Sequence, residues 1–152
     1  VDMETGQILA EANETNGQAA YGADILTRIT YGLEGADRKK RLRLATVETF
    51  HKLLDRLTED TGRDMRGCPV MVISGNTTMV HFLLELDAWT VFSAPYAPVT
   101  SNPGFYSGKE LEMDFGGQIY FIPAISNYVG GDIVSGLLTV DFYKKRRDRT
   151  VF

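Results

Sequence analysis

The 152-residue chain has a single cysteine, Cys68. One thiol excludes an internal disulfide and any cysteine-ligated iron–sulfur cluster built from this chain alone. The 5 prolines are scarce and the 15 glycines follow no period, which excludes collagen-like and low-complexity chains. No apolar run approaches the ~20 residues of a membrane span, and no signal-peptide pattern opens the sequence. Cations are outnumbered, 16 Lys and Arg against 20 Asp and Glu, for a net charge of −4. A phosphate backbone demands a cationic surface, so nucleic acid is not expected as a partner. The sequence also lacks a Walker-type Gly-x-x-x-x-Gly-Lys-Ser/Thr loop and any His-x-x-x-His spacing, so no metal ligand set is expected. What remains is 43% apolar residues with both signs of charge. That is the composition of one soluble, cytoplasmic domain large enough to bury a core.

Both ends read as interior to a larger protein. Val1-Asp2-Met3 resembles the tail of a strand, Glu4-Thr5-Gly6 a tight turn, and Gln7 the start of a second strand. Thr150-Val151-Phe152 is a β-prone triplet after a cationic turn. Between them, Ile25, Leu26, Ile29 and Leu33 at helical spacing predict a short helix, broken by Gly32 and Gly35. A long amphipathic helix is predicted from about Asp37 to Thr61. Its stripe is Leu44, Val47, Phe50, Leu53, Leu54 and Leu57, and Gly62 stands where a C-cap glycine belongs. After Pro69, Val70-Met71-Val72-Ile73 reads as a strand buried on both faces, and Gln118 to Ile122 as another. Thr77 to Leu86 is predicted helical with Asn76 or Thr77 as N-cap, and so is Ser126 to about Tyr143. Trp89 to Met113 carries three prolines and scattered aromatics and is expected to be a long irregular excursion. Strands alternating with helices imply an α/β fold: a mixed, mostly parallel sheet with the opening hairpin as an antiparallel edge.

Two turns hold candidate chemistry. Ser74-Gly75-Asn76-Thr77-Thr78 follows a predicted strand and opens a helix, a place where open α/β sheets bind ligands and helix N-termini favour anions. The same residues equally serve as a plain helix cap. Pro123-Ala124-Ile125-Ser126-Asn127-Tyr128-Val129-Gly130-Gly131-Asp132 follows the second strand and is expected at the same sheet edge. Asp132, placed two turns into its helix, could face a ligand, a metal-bound water or a neighbouring domain, or simply solvent. Three glycines in that helix, Gly130, Gly131 and Gly136, cost about 1 kcal/mol each relative to Ala and imply close approach to another backbone. The basic runs Arg38–Arg43 and Lys144–Arg149 hold ten of the sixteen cations and read as solvated surface, with an acidic partner as the alternative for the first run. His51, His81 and Cys68 have no companions for metal or triad chemistry and read as packing residues.

At these residues the sequence resembles the ATPase-type domain of the reductive activators of corrinoid proteins, in the superfamily of acetate and sugar kinases, heat-shock ATPases and actin. The match is carried by Asn16-Gly17-Gln18-Ala19-Ala20-Tyr21-Gly22-Ala23-Asp24-Ile25 with Arg28-Ile29, by Gly75-Asn76-Thr77-Thr78-Met79 with His81, and by Pro123-Ala124-Ile125 through Asp132. Glu85 and Ala88 stand where the family often has Gly and Pro. The resemblance implies that residues 1–152 are a single partial domain: the first lobe of a ribonuclease H-like fold, lying between two phosphate loops and missing its first strand. A sheet with an open slot is therefore expected. It implies an ATP-dependent activator that restores Co(I) in corrinoid methyl carriers, with magnesium-ATP and an iron–sulfur cluster held elsewhere in the parent. The partner would be a corrinoid iron–sulfur or corrinoid methyltransferase protein. Gly75, Asn76, Thr77, Gly130, Gly131 and Asp132 would lie on the nucleotide side. No catalytic residue is assigned, and this chain alone is expected to be inactive. The rival readings are an activator of another low-potential enzyme, and a docking or dimerisation lobe using Trp89 to Tyr106.

Overall fold

The computed structural model describes residues 1–140. In chain order they form a 3₁₀ turn Gly17–Tyr21, α1 (Ile25–Leu33), α2 (Ala36–Thr61), β1 (Val70–Ile73), α3 (Thr77–Leu83), a 3₁₀ turn Ala88–Val91, β2 (Gly104–Ser107), β3 (Gln118–Phe121) and α4 (Gly131–Thr139). The described residues make a mixed α/β fold with one three-stranded sheet in the order β1–β3–β2. β1 runs parallel to β3, pairing Val70 with Gln118 through Ile73 with Phe121. β2 is antiparallel to β3, pairing Gly104 with Phe121 through Ser107 with Gln118.

The two helices before the sheet form where their patterning places them. Asp24 caps α1, its carboxylate accepting the Thr27 N–H at 2.8 Å. α2 ends at Gly62, whose φ of 67° is the left-handed conformation that lets its N–H reach the Thr58 carbonyl. The buried residues of α2 are Leu42, Val47 and Leu54, while Leu44 is exposed. The stripe is thus rotated from the expected one, because α1 covers Leu42. Ile29, Leu42, Phe82 and Ala88 form one cluster. The larger one joins Val47 and Leu54 to Ile73, Val80, Leu83, Ile119 and Phe121, with Leu111, Met113 and Phe115 closing it below the sheet.

Several expectations are corrected. β1 is not buried on both faces: Val72 is 57% exposed, since the core lies on one face of the sheet only. The opposite face carries Val72, Tyr120 and Phe105 in register, with the Tyr120 and Phe105 rings 4.7 Å apart. The antiparallel edge comes from β2, inside the supposedly irregular excursion. The opening turn does close, with Asp2 N–H on the Gln7 carbonyl at 2.8 Å and Gly6 N–H on the Asp2 carbonyl at 2.9 Å. Gln7–Ala10 nevertheless forms no strand, because a strand needs a neighbour within about 4.8 Å. The residues that follow it are held against α2, by Arg56 on Glu14 at 2.7 Å and by Gly17 N–H on the Thr49 hydroxyl at 3.1 Å. Two clefts separate it from the β1 side. One of about 410 Å³ lies between Val1–Ala10 and Met65–Pro69. The other, of about 290 Å³, lies between Glu14 and Asn16 on one side and Ile73–Asn76 on the other.

α3 stops at Leu83 rather than Leu86. Leu86 N–H bonds the His81 carbonyl at 2.9 Å and Glu85 N–H the Phe82 carbonyl at 3.3 Å, while Glu85 takes φ 55°. That is a Schellman stop with glutamate at the left-handed position glycine usually occupies. Glu85 lies 3.0 Å from Arg43. Arg43 also pairs with Glu112 at 2.8 Å, Lys40 with Glu112 at 3.2 Å, and Arg38 with Glu34 at 2.7 Å. The first basic run is therefore largely absorbed within the chain. The second run and the closing triplet lie outside the described residues.

One face of the sheet carries the stability. Ile119→Ala is expected to cost about 2–5 kcal/mol in urea unfolding, and Val72→Ala under ~1 kcal/mol. Equal losses would contradict one-sided burial.

Candidate functional site

The Ser74–Thr78 turn leaves the carboxyl end of β1, and the turn leading to α4 leaves that of β3. Because these strands are parallel neighbours, both turns emerge at one edge. The structure brings all six candidate residues there. Asn76 is the N-cap of α3, its side-chain oxygen accepting the Thr78 N–H at 2.9 Å. Thr77 is buried, and its hydroxyl donates to the Ser126 carbonyl at 3.3 Å. The Gly75 carbonyl accepts the Asp132 N–H at 3.3 Å. The Ser74 hydroxyl donates to the Gly131 carbonyl at 2.9 Å and lies 2.7 Å from the Ser135 hydroxyl. The two turns clasp each other.

α4 begins at Gly131, not Ser126. Ser126–Val129 form their own tight turn, with Ile125 N–H on the Val129 carbonyl at 2.8 Å, and Gly130 is extended with ψ −179°. Asp132 consequently sits in the first turn of α4, not two turns in. Its side chain is exposed and accepts the Ile133 N–H at 2.9 Å. A carboxylate at this end of a helix is favoured by the backbone dipoles. Two of the three glycines make the close approach expected of them. A Cβ on Gly130 would stand 2.8 Å from the Thr77 nitrogen, and one on Gly131 would stand 2.5 Å from the Ile122 carbonyl oxygen. Gly136 faces open space.

The 290 Å³ cleft beside this clasp unites the first and second matched stretches of sequence. Asn16, Thr46, Thr49, Ser74 and Asn76 supply polar groups, over an apolar floor that includes Phe50 and Met79. Next to it Gln18 is wholly buried, its amide nitrogen donating to the Leu42 carbonyl at 3.0 Å and the Thr46 hydroxyl at 2.8 Å. The bonding of Ser74 and the burial of Gln18 had no sequence signal beyond position beside glycine. His51 accepts the Asp114 N–H at 3.0 Å, His81 is fully buried, and Cys68 lies 3.9 Å from the Met65 sulfur. Among the described residues no His, Cys, Asp or Glu group could hold a metal ion, and no helix is long and apolar enough to cross a membrane.

Residues 1–145 match the family model described as the RACo middle region. The chain belongs to the RACo middle region family. This RACo middle region is 27% identical over 148 residues to the corrinoid activation enzyme RamQ of Eubacterium limosum, covering 96% of the chain and 25% of that protein. It superposes on a solved reductive activator for corrinoid, iron-sulfur protein with a TM-score of 0.89 and 32% identity, covering 96% of the chain and 24% of the activator. The chain thus spans about a quarter of the length of both.

The clasp makes opposite demands on two nearby glycines. Gly131→Ala is expected to destabilise by about 1–3 kcal/mol, because the new methyl meets a backbone oxygen. Gly136→Ala, in open helix, is expected to stabilise by up to ~1 kcal/mol. Thermal melting of the two variants distinguishes them, and shifts of the same sign would contradict the packing described.

Proposed function

We propose that residues 1–152 are the first lobe of an ATPase-type domain in a cytoplasmic reductive activator of corrinoid proteins. The lobe is a single partial domain of the acetate and sugar kinase, heat-shock ATPase and actin superfamily, lying between that domain's two phosphate loops. The observation that carries the reading is the match along 96% of the chain to an activator for a corrinoid, iron-sulfur protein, at 32% identity. Its partner is a corrinoid iron–sulfur or corrinoid methyltransferase protein, whose cobalt the parent returns to Co(I). In the parent, ATP with magnesium supplies the driving force, and an iron–sulfur cluster supplies the electron.

The residues of this chain do not by themselves fit either group. The cleft at Asn76 is lined by Glu14 and by no lysine or arginine, so it lacks the charge to hold a triphosphate. One cysteine cannot hold a cluster. What the chain contributes is the clasp between the Gly75-Asn76-Thr77 turn and Gly130-Gly131-Asp132, which ties one sheet edge to the helix leaving it. Such a rigid joint is suited to transmit lobe closure. The missing first strand belongs in the slot between the 1–16 segment and β1. Residues of α2 line that slot.

A second reading, a docking or dimerisation lobe, is favoured by the exposed aromatics Trp89, Tyr96 and Phe105, at 45%, 55% and 64%. The full-length parent decides between them. Phosphate release stimulated by a Co(II) corrinoid protein is expected of it. The isolated chain is expected to release none. A full-length parent that releases no phosphate in the presence of its corrinoid partner would leave only the docking role.

A further inference from the structure

His81 is wholly buried in α3, yet both of its ring nitrogens are engaged. Nδ1 lies 2.7 Å from the Thr77 carbonyl oxygen, one turn earlier. Nε2 lies 3.1 Å from the backbone nitrogen of Val99, in the segment between the 3₁₀ turn Ala88–Val91 and β2. A carbonyl can only accept and an N–H can only donate, so the two partners fix the ring as neutral, with its proton on Nδ1. The ring is thereby a bridge from α3's first turn to a loop 18 residues away in sequence. That loop is in turn bonded to the β3–α4 connection. Ala124 N–H donates to the Ser101 carbonyl at 2.8 Å, and the Asn127 amide donates to the Tyr96 carbonyl.

We propose that His81 is a proton-sensitive latch: as a neutral ring it fastens the Val99 segment to the first turn of α3, and on protonation it lets that segment go. A proton added at Nε2 would face the Val99 N–H, donor against donor, and that bond would be lost while the Thr77 bond persists. The charged group facing His81 is Asp87, the N-cap of the 3₁₀ turn Ala88–Val91. The small cleft beside the ring is lined by Gly75, Thr77, Thr100, Ser101 and Ala124, none of which titrates in this range. Burial pushes the His81 pKa down, the Thr77 bond and the field of Asp87 opposing it. The folded, latched form therefore resists protonation, whereas an unlatched ring reached by water titrates near its ordinary value. Stability of the latch is full above about pH 6.5 and falls as pH drops below it, because the open state then binds the extra proton. Thr77 and the β3–α4 connection border the clasp described above, so on the reading proposed for the parent this latch holds the excursion in register with the nucleotide side.

Hydrogen exchange on the full-length protein without nucleotide tests the latch separately from any ATP reading. Peptides covering residues 95–103 are followed from about pH 5 to 8, corrected for intrinsic exchange, against β3 as reference. In the natural protein their protection is expected to fall about tenfold toward the acid end while β3 stays protected. His81→Gln keeps an acceptor that does not titrate, and its protection is expected to be flat across the range. His81→Leu is expected to leave the segment unprotected throughout. Protection of 95–103 that does not change with pH in the natural protein would overturn the proposal. So would an acid-dependent loss in His81→Gln equal to the natural one. The natural protein and the glutamine variant decide the matter even if the leucine variant does not fold.

Discussion

Burial of Ile119 and Phe121 on the single covered face of β3 is the interaction from which the remaining arrangement follows. Both are fully inaccessible, and each large apolar side chain removed from water contributes roughly 1.5–3 kcal/mol. β3 is also the only strand of the described sheet with a neighbour on each side. Pairing to β1 and packing against α2 and α3 fix its height and direction. Once β1 and β3 are parallel neighbours, the turns that leave their carboxyl ends have to meet. Ser74 then bonds the Gly131 carbonyl, Gly75 accepts the Asp132 N–H and Thr77 bonds the Ser126 carbonyl, so the two turns do not remain separate loops.

Satisfaction of backbone hydrogen bonds also explains what did not form. A β segment with no partner leaves a row of polar groups unpaired, which costs more than its propensity returns. The opening turn at Glu4-Thr5-Gly6 is local: Asp2 accepts the N–H groups of Glu4 and Thr5 through its own carboxylate. The strand expected from Gln7 onward is not local, and it lies across clefts from β1. Across those clefts, the outer edge of β1 pairs with no strand among the described residues.

Local features were the ones the sequence made readable. Helical spacing located α1 and α2, Gly62 marked the end of α2, and Pro69 and Pro123 bracketed the strands. The resemblance to corrinoid-protein activators rested on short stretches that the fold does gather: Asn16 shares a cleft with Gly75 and Asn76, and Gly130 abuts Thr77. Failures came where a distant segment overrode the local pattern. β2 was hidden in an aromatic-rich excursion because Phe105 and Tyr106 acquire strand geometry only by pairing with Tyr120 and Ile119. α4 starts five residues later than its sequence pattern implies, because Ser126–Val129 close a turn of their own.

Glu85 states the division compactly. Its side chain contradicts the left-handed backbone that the end of α3 requires, and Arg43, from another helix, stands against its carboxylate at 3.0 Å. The amino-acid order alone determined where α1, α2, β1 and β3 lie, where the two candidate turns fall, and which family they resemble, because these depend on near neighbours along the chain. The tertiary structure alone decided which face of the sheet is covered, which segment completes its antiparallel edge, and that His81 reaches Val99. Those outcomes depend on groups that become neighbours only when the backbone of one segment must be satisfied by another.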